Sequence, residues 1–573
     1  MKRGGRAVKR RGRVVKRGAS IALVALCASG LSCMFIDRFD EVTPDPSGMD
    51  AGGGSGASLS ATSSAVESAS SGPLPCAPDT TTPCYFGPPS TLGVGECASG
   101  IATCAPDGSG YGACVGQALP AFEVCATAED ENCDGLACVG AYVIDGVFGD
   151  GAAQRGTAIA ARGDVVALAG TASGELAFGV GKPPLTELGD AQIPDAFLVK
   201  LDPSGKPLFR RRFADSEAAG VALVPKSGEV LLVGGAIGDV DFGGGVLPAG
   251  DKGERDLFVA RFDAKGSHIS SARYGDIGSD QRASAVAVDD KERAFVTGAF
   301  AGALDCKNGM TLTSHGGVDA LLARFDASSH LTWCRAFGDG ADQEGVAVAT
   351  HPSGVVVAGW FAGAVDLGSG PIVAVGATDG FLAAFDPEGA PLWSRALPAE
   401  GYARATSVAV TAAGEVIVAG FFHGALHLDG QVLHTGYADE DAFVAKLDAS
   451  GTPLWSARYG DAADQRVFSV AADAGGNVLV AGAFAGSLAF SPGAVPRISA
   501  GGRDGFVAKL DPSGAGMWAQ SFGDGEDQVS AGVGADGLGA VWVTGALAGS
   551  ADFGGGSRAS AGSSDVFVTK YSP

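Results

Sequence analysis

Charge is scarce in this 573-residue chain: Asp, Glu, Lys and Arg together make up 18%, which excludes a highly charged disordered chain. Histidine is scarcer, with seven residues. No H-E-x-x-H, G-x-S-x-G or G-x-x-x-x-G-K-[ST] spacing occurs, so the short signatures of metalloproteases, α/β-hydrolases and P-loop NTPases are missing. No apolar run is long enough to cross a bilayer as a helix; the one near the start, residues 19–31, stops well short of the ~20 residues needed. What is plentiful is glycine, 91 residues, more than twice the ordinary ~7%. Short aromatic and β-branched runs between Gly, Asp, Pro and Ser predict an all-β chain of many tight turns with little helix.

Nine of the 40 basic residues fall within residues 1–18, whereas the first acid is Asp37. Subtracting those nine from 40 leaves 31 basic against 64 acidic residues, a net charge of −33. Such a body repels nucleic acid and anionic lipid. The basic start, the apolar run and Leu31-Ser32-Cys33 have the three parts of a secretory signal. Its ending resembles a bacterial lipobox, although Gly30 stands where Leu is usual, and the resemblance implies that Cys33 is lipidated. The expectation is a signal peptide over 1–33, followed by a Ser/Gly/Ala-rich tether over 34–75 that cannot offset the entropy of ordering. The membrane is then met only through a lipid, at an outer-membrane or cell-surface location on the periplasmic or extracellular side.

Residues 76–140 form a cysteine-rich module with Cys76, Cys84, Cys97, Cys104, Cys114, Cys125, Cys133 and Cys138. An even count in an exported chain predicts disulfides, and the 105 pairings that eight cysteines allow stay open. No adjacent pair has the two-residue gap that zinc sites favour. Within this module, Glu123, Cys125, Asp130, Asn132, Cys133, Asp134 and Gly135 resemble a metal-binding motif of bacterial surface proteins. Ala126-Thr127 replaces the motif's Asn-Gly. The resemblance implies calcium, held by the oxygens of Glu123, Asp130, Asn132 and Asp134; the bland alternative is an acidic turn closed by a disulfide.

From residue 141 to 573 the chain repeats itself. A D-x-F-V-A-K-L-D element begins at Asp195, Asp256, Asp319, Asp379, Asp441, Asp504 and Asp565, and an apolar run ending in glycine recurs at Gly170, Gly235, Gly298, Gly359, Gly420, Gly482 and Gly545. Each repeat reads as four antiparallel strands, with Trp333, Trp393, Trp455 and Trp518 on the fourth. The seventh repeat ends after its third strand, and the missing fourth stands before the first repeat, where FGDGAAQ (148–154) matches FGDGADQ (337–343). Complementary halves at opposite ends close a ring, which predicts a seven-bladed β-propeller completed by an N-terminal strand. The repeats resemble the bacterial SBBP-type β-propeller repeat proteins over about 430 residues, a resemblance that implies a fold and little function.

The recurring acids have structural readings. Asp202, Asp263, Asp326, Asp386, Asp448 and Asp511 open turns. The GDxxDQ loops, such as Asp339, Asp342 and Gln343, either brace the link from one blade to the next or bind calcium. Just after those loops, at the start of the channel-lining strand, the equivalent residues are Arg155, Glu217, Arg282, Glu344, Arg404, Arg466 and Val529. They predict either an Arg–carboxylate bracing ring or an anion site at the axial mouth, with Arg155, Arg282, Arg404 and Arg466 as its donors. His423, His427 and His434 share one repeat at a spacing unlike a zincin. Cys306 and Cys334 fall in the second and fourth strand regions of one blade; export favours a disulfide, but strands so spaced are too far apart to bridge unless a loop bends back, so a disulfide and two buried free thiols both stay open.

The function that fits is a monomeric, non-catalytic, exported module that binds a protein or a glycan, with no nucleic-acid partner and no cofactor beyond calcium. The enzymatic alternative is a propeller-type glycan lyase or hydrolase at the axial mouth. Its mark would be one blade with non-repeating His, Tyr, Asp or Glu there, and the histidine-bearing blade of residues 402–465 is nearest to that description.

Overall fold

The structure is a computed structural model that describes residues 76–119 and 140–573, except 88–90, 95, 179–181, 187, 251–252, 277, 307–308, 429, 437–438 and 492–493. Cys33, the tether, and Glu123, Cys125, Asp130, Asn132, Cys133, Asp134 and Cys138 lie outside the described residues.

Seven four-stranded antiparallel sheets follow one another along the chain. Blade 5 shows the pattern: an inner strand Tyr402–Val410, then Val416–His423, Asp441–Leu447 and an outer strand Pro453–Tyr459. Its third strand is buried at all seven positions because both faces lie against neighbouring sheets, while the outer strand is mostly half-buried, with Leu454 and Arg458 exposed. Each inner strand lies against the next, and Gln528–Ala535 of blade 7 lies against Gln154–Arg162 of blade 1, so the ring closes. Blade 7 is completed as the repeat arithmetic predicts. Tyr142–Phe148 pairs antiparallel with Asp565–Tyr571, with Val147 opposite Phe567. No helix occurs among the described residues.

The motif's recurring Lys/Arg and Trp explain how blades are fastened to one another. Lys200 donates to the carbonyl of Gly228 in blade 2 at 2.7 Å, Arg261 to Ala327 in blade 3 at 2.6 Å, and Arg324 to Pro387 in blade 4 at 2.6 Å. Lys446 reaches Pro512 in blade 6 at 3.2 Å, and Lys570 reaches Pro203 across the closure at 3.0 Å. Trp333, Trp393 and Trp455 donate their indole N–H to Pro387, Ala449 and Pro512 of the next blade. Each ring lies on a turn glycine, Gly389, Gly451 or Gly514, whose φ of 82–89° and close contact with the indole both disfavour a side chain.

A feature the repeats do not announce is a small hairpin between the second and third strands, such as Ala303–Asp305 with Thr311–Thr313. In blades 1, 3, 5 and 7 it is fastened to the outer strand of its own blade, each by different chemistry. Arg210 donates to the carbonyls of Phe178 and Pro183 in blade 1, Ser456 to Gln431 in blade 5, and Arg558 to Asp145 in blade 7. In blade 3 the fastener is a Cys306–Cys334 disulfide, with the Cα atoms 6.2 Å apart. Cys306 follows the hairpin's first strand and is not on the blade's second strand, which is how the loop bends back far enough to bridge.

In the cysteine-rich module Thr81–Cys84 pairs with Gly100–Thr103, and Cys76–Cys104 and Cys84–Cys114 are disulfides. Cys97 is also disulfide-bonded.

Candidate functional site at the axial mouth

At one end of the ring the inner strands begin, the second strands end and the third strands begin, as in the register Gln343–Phe361–Asp379. The GDxxDQ loops lie at this end and are internally braced. Asp339 accepts from the backbone N–H of Ala341 and Ala364 and from the Gln343 amide, which also donates to the Ala362 carbonyl. The backbone donors, Ala341 first, hold the Asp339 carboxyl below its usual range. Asp150–Gln154, Asp276–Gln281, Asp461–Gln465 and Asp524–Gln528 repeat the arrangement. These carboxylates face N–H donors, which is what a brace needs and a calcium site does not. Among the described residues, no group of three or more His, Cys, Asp or Glu is placed to hold a metal.

One residue further along the inner strand lies the ring of seven predicted positions. Register confirms that they are equivalent: Arg155 opposes Thr171, Glu217 Gly235, Arg282 Ala299, Glu344 Trp360, Arg404 Phe421, Arg466 Ala483 and Val529 Ala546. Arg282 pairs with Glu344 at 3.1 Å, Glu217 with Arg255 at 3.0 Å, and Arg155 donates to Thr171 at 3.2 Å. The guanidinium of Arg404 lies over Trp360, 4.7 Å from the ring centroid, and that of Arg466 over Phe421 at 4.9 Å.

Two links lack the brace: that between blades 1 and 2 is shorter and has Ser216 at the Gln position, and that between blades 4 and 5 has Ala399 and Ala403 in place of the Asp and Gln. Tyr402 takes the place of the second loop Asp and stacks on His423, centroids 5.5 Å apart and planes 15° from parallel. His423 is the only histidine at a position that holds Ser173, Ile237, Ala301, Ala362, Ala485 and Ala548 in the other blades. The Tyr402 hydroxyl donates to Glu440, and the other oxygen of Glu440 accepts from Arg466. Burial, reinforced by Glu440, pushes the Tyr402 phenol well above its usual range. Arg503 donates to Asp464 at 3.3 Å; burial and the nearby charge of Arg466 both lower its pKa.

The structure thus brings Arg404 and Arg466 together with Tyr402 and His423, while Arg155 and Arg282 lie in other sectors of the ring. His427 lies apart, on a rim groove of about 490 Å³ formed with Leu397, Pro398 and Leu428, 3.9 Å from Glu400. His434 ends the blade 5 hairpin. Sequence reading alone did not single out Trp360, Phe421, Glu440 or Arg503. The signal was present, because Trp360 and Phe421 occupy a position held by Gly, Ala or Thr in the other five blades.

No family model matches the chain, and no curated protein matches it. Among solved structures, it is similar to the acylaminoacyl peptidase of Pyrococcus horikoshii at 10% identity and a TM-score of 0.37, over 71% of this chain and 52% of that one. It is also similar to a puromycin hydrolase at 14% identity and a TM-score of 0.38, over 72% and 54% of the two chains. A third similarity is to the β-propeller domain of the Trilobed protease of Pyrococcus furiosus, at 9% and 0.34, over 74% and 94%. The chain spans about half the length of the first two proteins. Likenesses of this degree carry no activity over to it.

Proposed function

We propose that this chain is an exported, non-catalytic binding and scaffold module of the SBBP-repeat kind, lipid-anchored at Cys33, that offers its axial mouth to a protein or glycan outside the cytoplasm. The observation that carries this reading is the gathering of non-repeating side chains in one sector: Trp360, Tyr402, Phe421, His423 and Glu440 with Arg404 and Arg466. A fold built from seven near-copies keeps what stability needs in every blade, so a coherent local departure marks a surface with another task. The polar groups there are engaged with one another, and a phenol pushed upward stays a hydrogen-bond donor at neutral pH and is a poor base. Disulfides in the N-terminal module and in blade 3 support an oxidising compartment. Capture from native envelope extract tests the reading: Trp360→Ala and Tyr402→Phe, with unchanged melting temperature, should lose the partner that the full chain retains. Equal capture by all three proteins overturns it.

A second reading, a propeller-type glycan lyase or hydrolase, draws on the Tyr402–Glu440–Arg466 chain, the non-repeating titratable set that such an enzyme requires. Release of unsaturated or new reducing ends from polysaccharide, abolished by Tyr402→Phe, would favour it over binding alone.

A further inference from the structure

The junctions between blades differ at the rim, and one of them lacks aromatic rings. The last residue of a blade's outer strand stands beside the hairpin of the next blade. Four junctions place a ring on each side: Phe148 with Phe178, centroids 4.2 Å apart, Phe213 with Phe242 at 4.9 Å, Tyr459 with Phe490 at 5.0 Å and Phe522 with Phe553 at 4.6 Å. At the equivalent positions of two more, Tyr274 and Phe337 supply one ring each, with Cys306 and Leu367 on the hairpin side. Only the junction of blades 4 and 5 has no ring, with Leu397 and Leu428 at the two positions. The rim groove of about 490 Å³ lies there. We propose that this groove is a docking site for an aromatic side chain carried on an extended, non-acidic segment of a partner protein, a second binding face that does not depend on the axial-mouth reading.

The groove is lined by the buried side chains of Leu397, Leu428 and Leu447 and by Pro398 and Pro453, apolar surface that a ring buries well. Arg395 and His427 also border it, but recognition here is by shape and apolar contact and uses no charged donor. The groove is continuous with the blade 4–blade 5 interface, so a ring supplied from outside completes what four sister junctions hold within the chain. An extended carrier follows from the strand edge. Ser394, Arg395, Ala396 and Leu397 all line the groove, and because successive residues of a strand point to opposite faces, four in a row place it along the edge of the strand. Pro391–Leu397 is the last strand of its sheet and is paired on one side. Beyond Leu397 that edge is taken by the blade 5 hairpin: the His427 N–H donates to the Pro398 carbonyl, and the Ala425 carbonyl accepts from Glu400. A segment added along the remaining edge directs alternate side chains to the groove. The body's net charge of −33 opposes an acidic carrier.

The test is fluorescence anisotropy of the full chain with a labelled, lysine-flanked Thr-Thr-Phe-Thr-Thr peptide and its copies with Leu or Ala in place of Phe. The Phe peptide should bind about 10- to 100-fold more tightly than the Ala copy, the factor expected for burying one aromatic side chain. Leu397→Phe/Leu428→Phe rebuilds the sister pair inside the chain and should abolish that preference at an unchanged or raised melting temperature. If the double variant folds poorly, Leu428→Phe alone should weaken the Phe peptide about 10-fold. Trp360→Ala should bind the peptide as the parent does. Equal binding of the Leu and Phe peptides overturns the inference about the ring. Binding that survives in the filled variants, or is lost in Trp360→Ala, places the contact away from the rim and overturns the inference while leaving the mouth a binding face. The absence of any preference for Phe over Ala in the parent also overturns it, and leaves the envelope-capture test of the mouth unaffected.

Discussion

Lys570 is the fastener on which ring closure depends most directly. Its ammonium group donates to the Pro203 carbonyl of blade 1 at 3.0 Å, pairs with Asp536 at 3.2 Å and lies 4.8 Å from the centroid of the Trp542 ring. The two side chains are 9% and 3% exposed, so water screens the pair little. Replacing Lys570 by Met keeps the stem and removes the charge. Breaking a buried pair in this way costs about 3–5 kcal/mol. The low end applies, because Asp536 keeps donors from Trp542, Leu538 and Ala540. Burial works against a charge on Asp536, but those donors and Lys570 outweigh it and hold its pKa below the usual 3.8. A depressed folded-state pKa gives stability that is present above the unfolded value and lost as pH falls through the folded one. The penalty of Lys570→Met should therefore be about 3 kcal/mol at pH 7 and shrink below pH ~3.8. Urea unfolding of both proteins at several pH values measures it, with a double-mutant cycle against Asp536→Asn and with exposed Lys206→Met as a control. A coupling near zero, or a loss no larger than the control's, refutes the closure role of this residue.

Three further outcomes follow from the geometry. Asp441 is fully buried, and burial outweighs its contact with Arg458 to raise its pKa to about 6. A raised carboxyl pKa costs stability as pH rises from ~4 to ~6, by up to about 3 kcal/mol; that part of the pH profile should vanish in Asp441→Asn, and an unchanged profile rejects the assignment. A Cβ at Gly460 would stand 1.8 Å from Asp441 Oδ1, so Gly460→Ala should cost about 1–3 kcal/mol in urea unfolding, whereas Gly525→Ala, with nothing within 4 Å, should be near neutral. Cys306→Ser opens a loop with a sequence separation of 28, a loss of about 3–4 kcal/mol that reductant should reproduce in the parent and not in the variant, as melting curves would show.

The ring and its closure were legible because repetition turns weak strand signals into strong ones: seven copies of one element, and a half-repeat at each end, leave few other arrangements. The turn aspartates were legible for the same reason, and Asp448 does accept from Ser450 and Thr452 backbone N–H groups. The hairpins were not, because two- to four-residue strands carry too little periodicity and differ in sequence from blade to blade. The mouth was half legible. Arg404 and Arg466 stood out by position, but their partners Trp360 and Phe421 lie inside apolar runs where an aromatic residue reads as core. Glu440 precedes the third strand, 38 residues from Tyr402, and only the fold brings the two together. The bridge between Cys306 and Cys334 depended on a loop path that strand spacing alone argues against.

Hydrogen exchange at Tyr142–Phe148 tests the circular architecture, and with it the existence of an axial mouth, most directly. Strand pairing with Asp565–Tyr571 predicts that these amides, although more than 400 residues away in sequence, are protected together with that strand and released with it in one cooperative step. Exchange of Tyr142–Phe148 at the rate of an unstructured tail, while Asp565–Tyr571 stays protected, would contradict the closed ring.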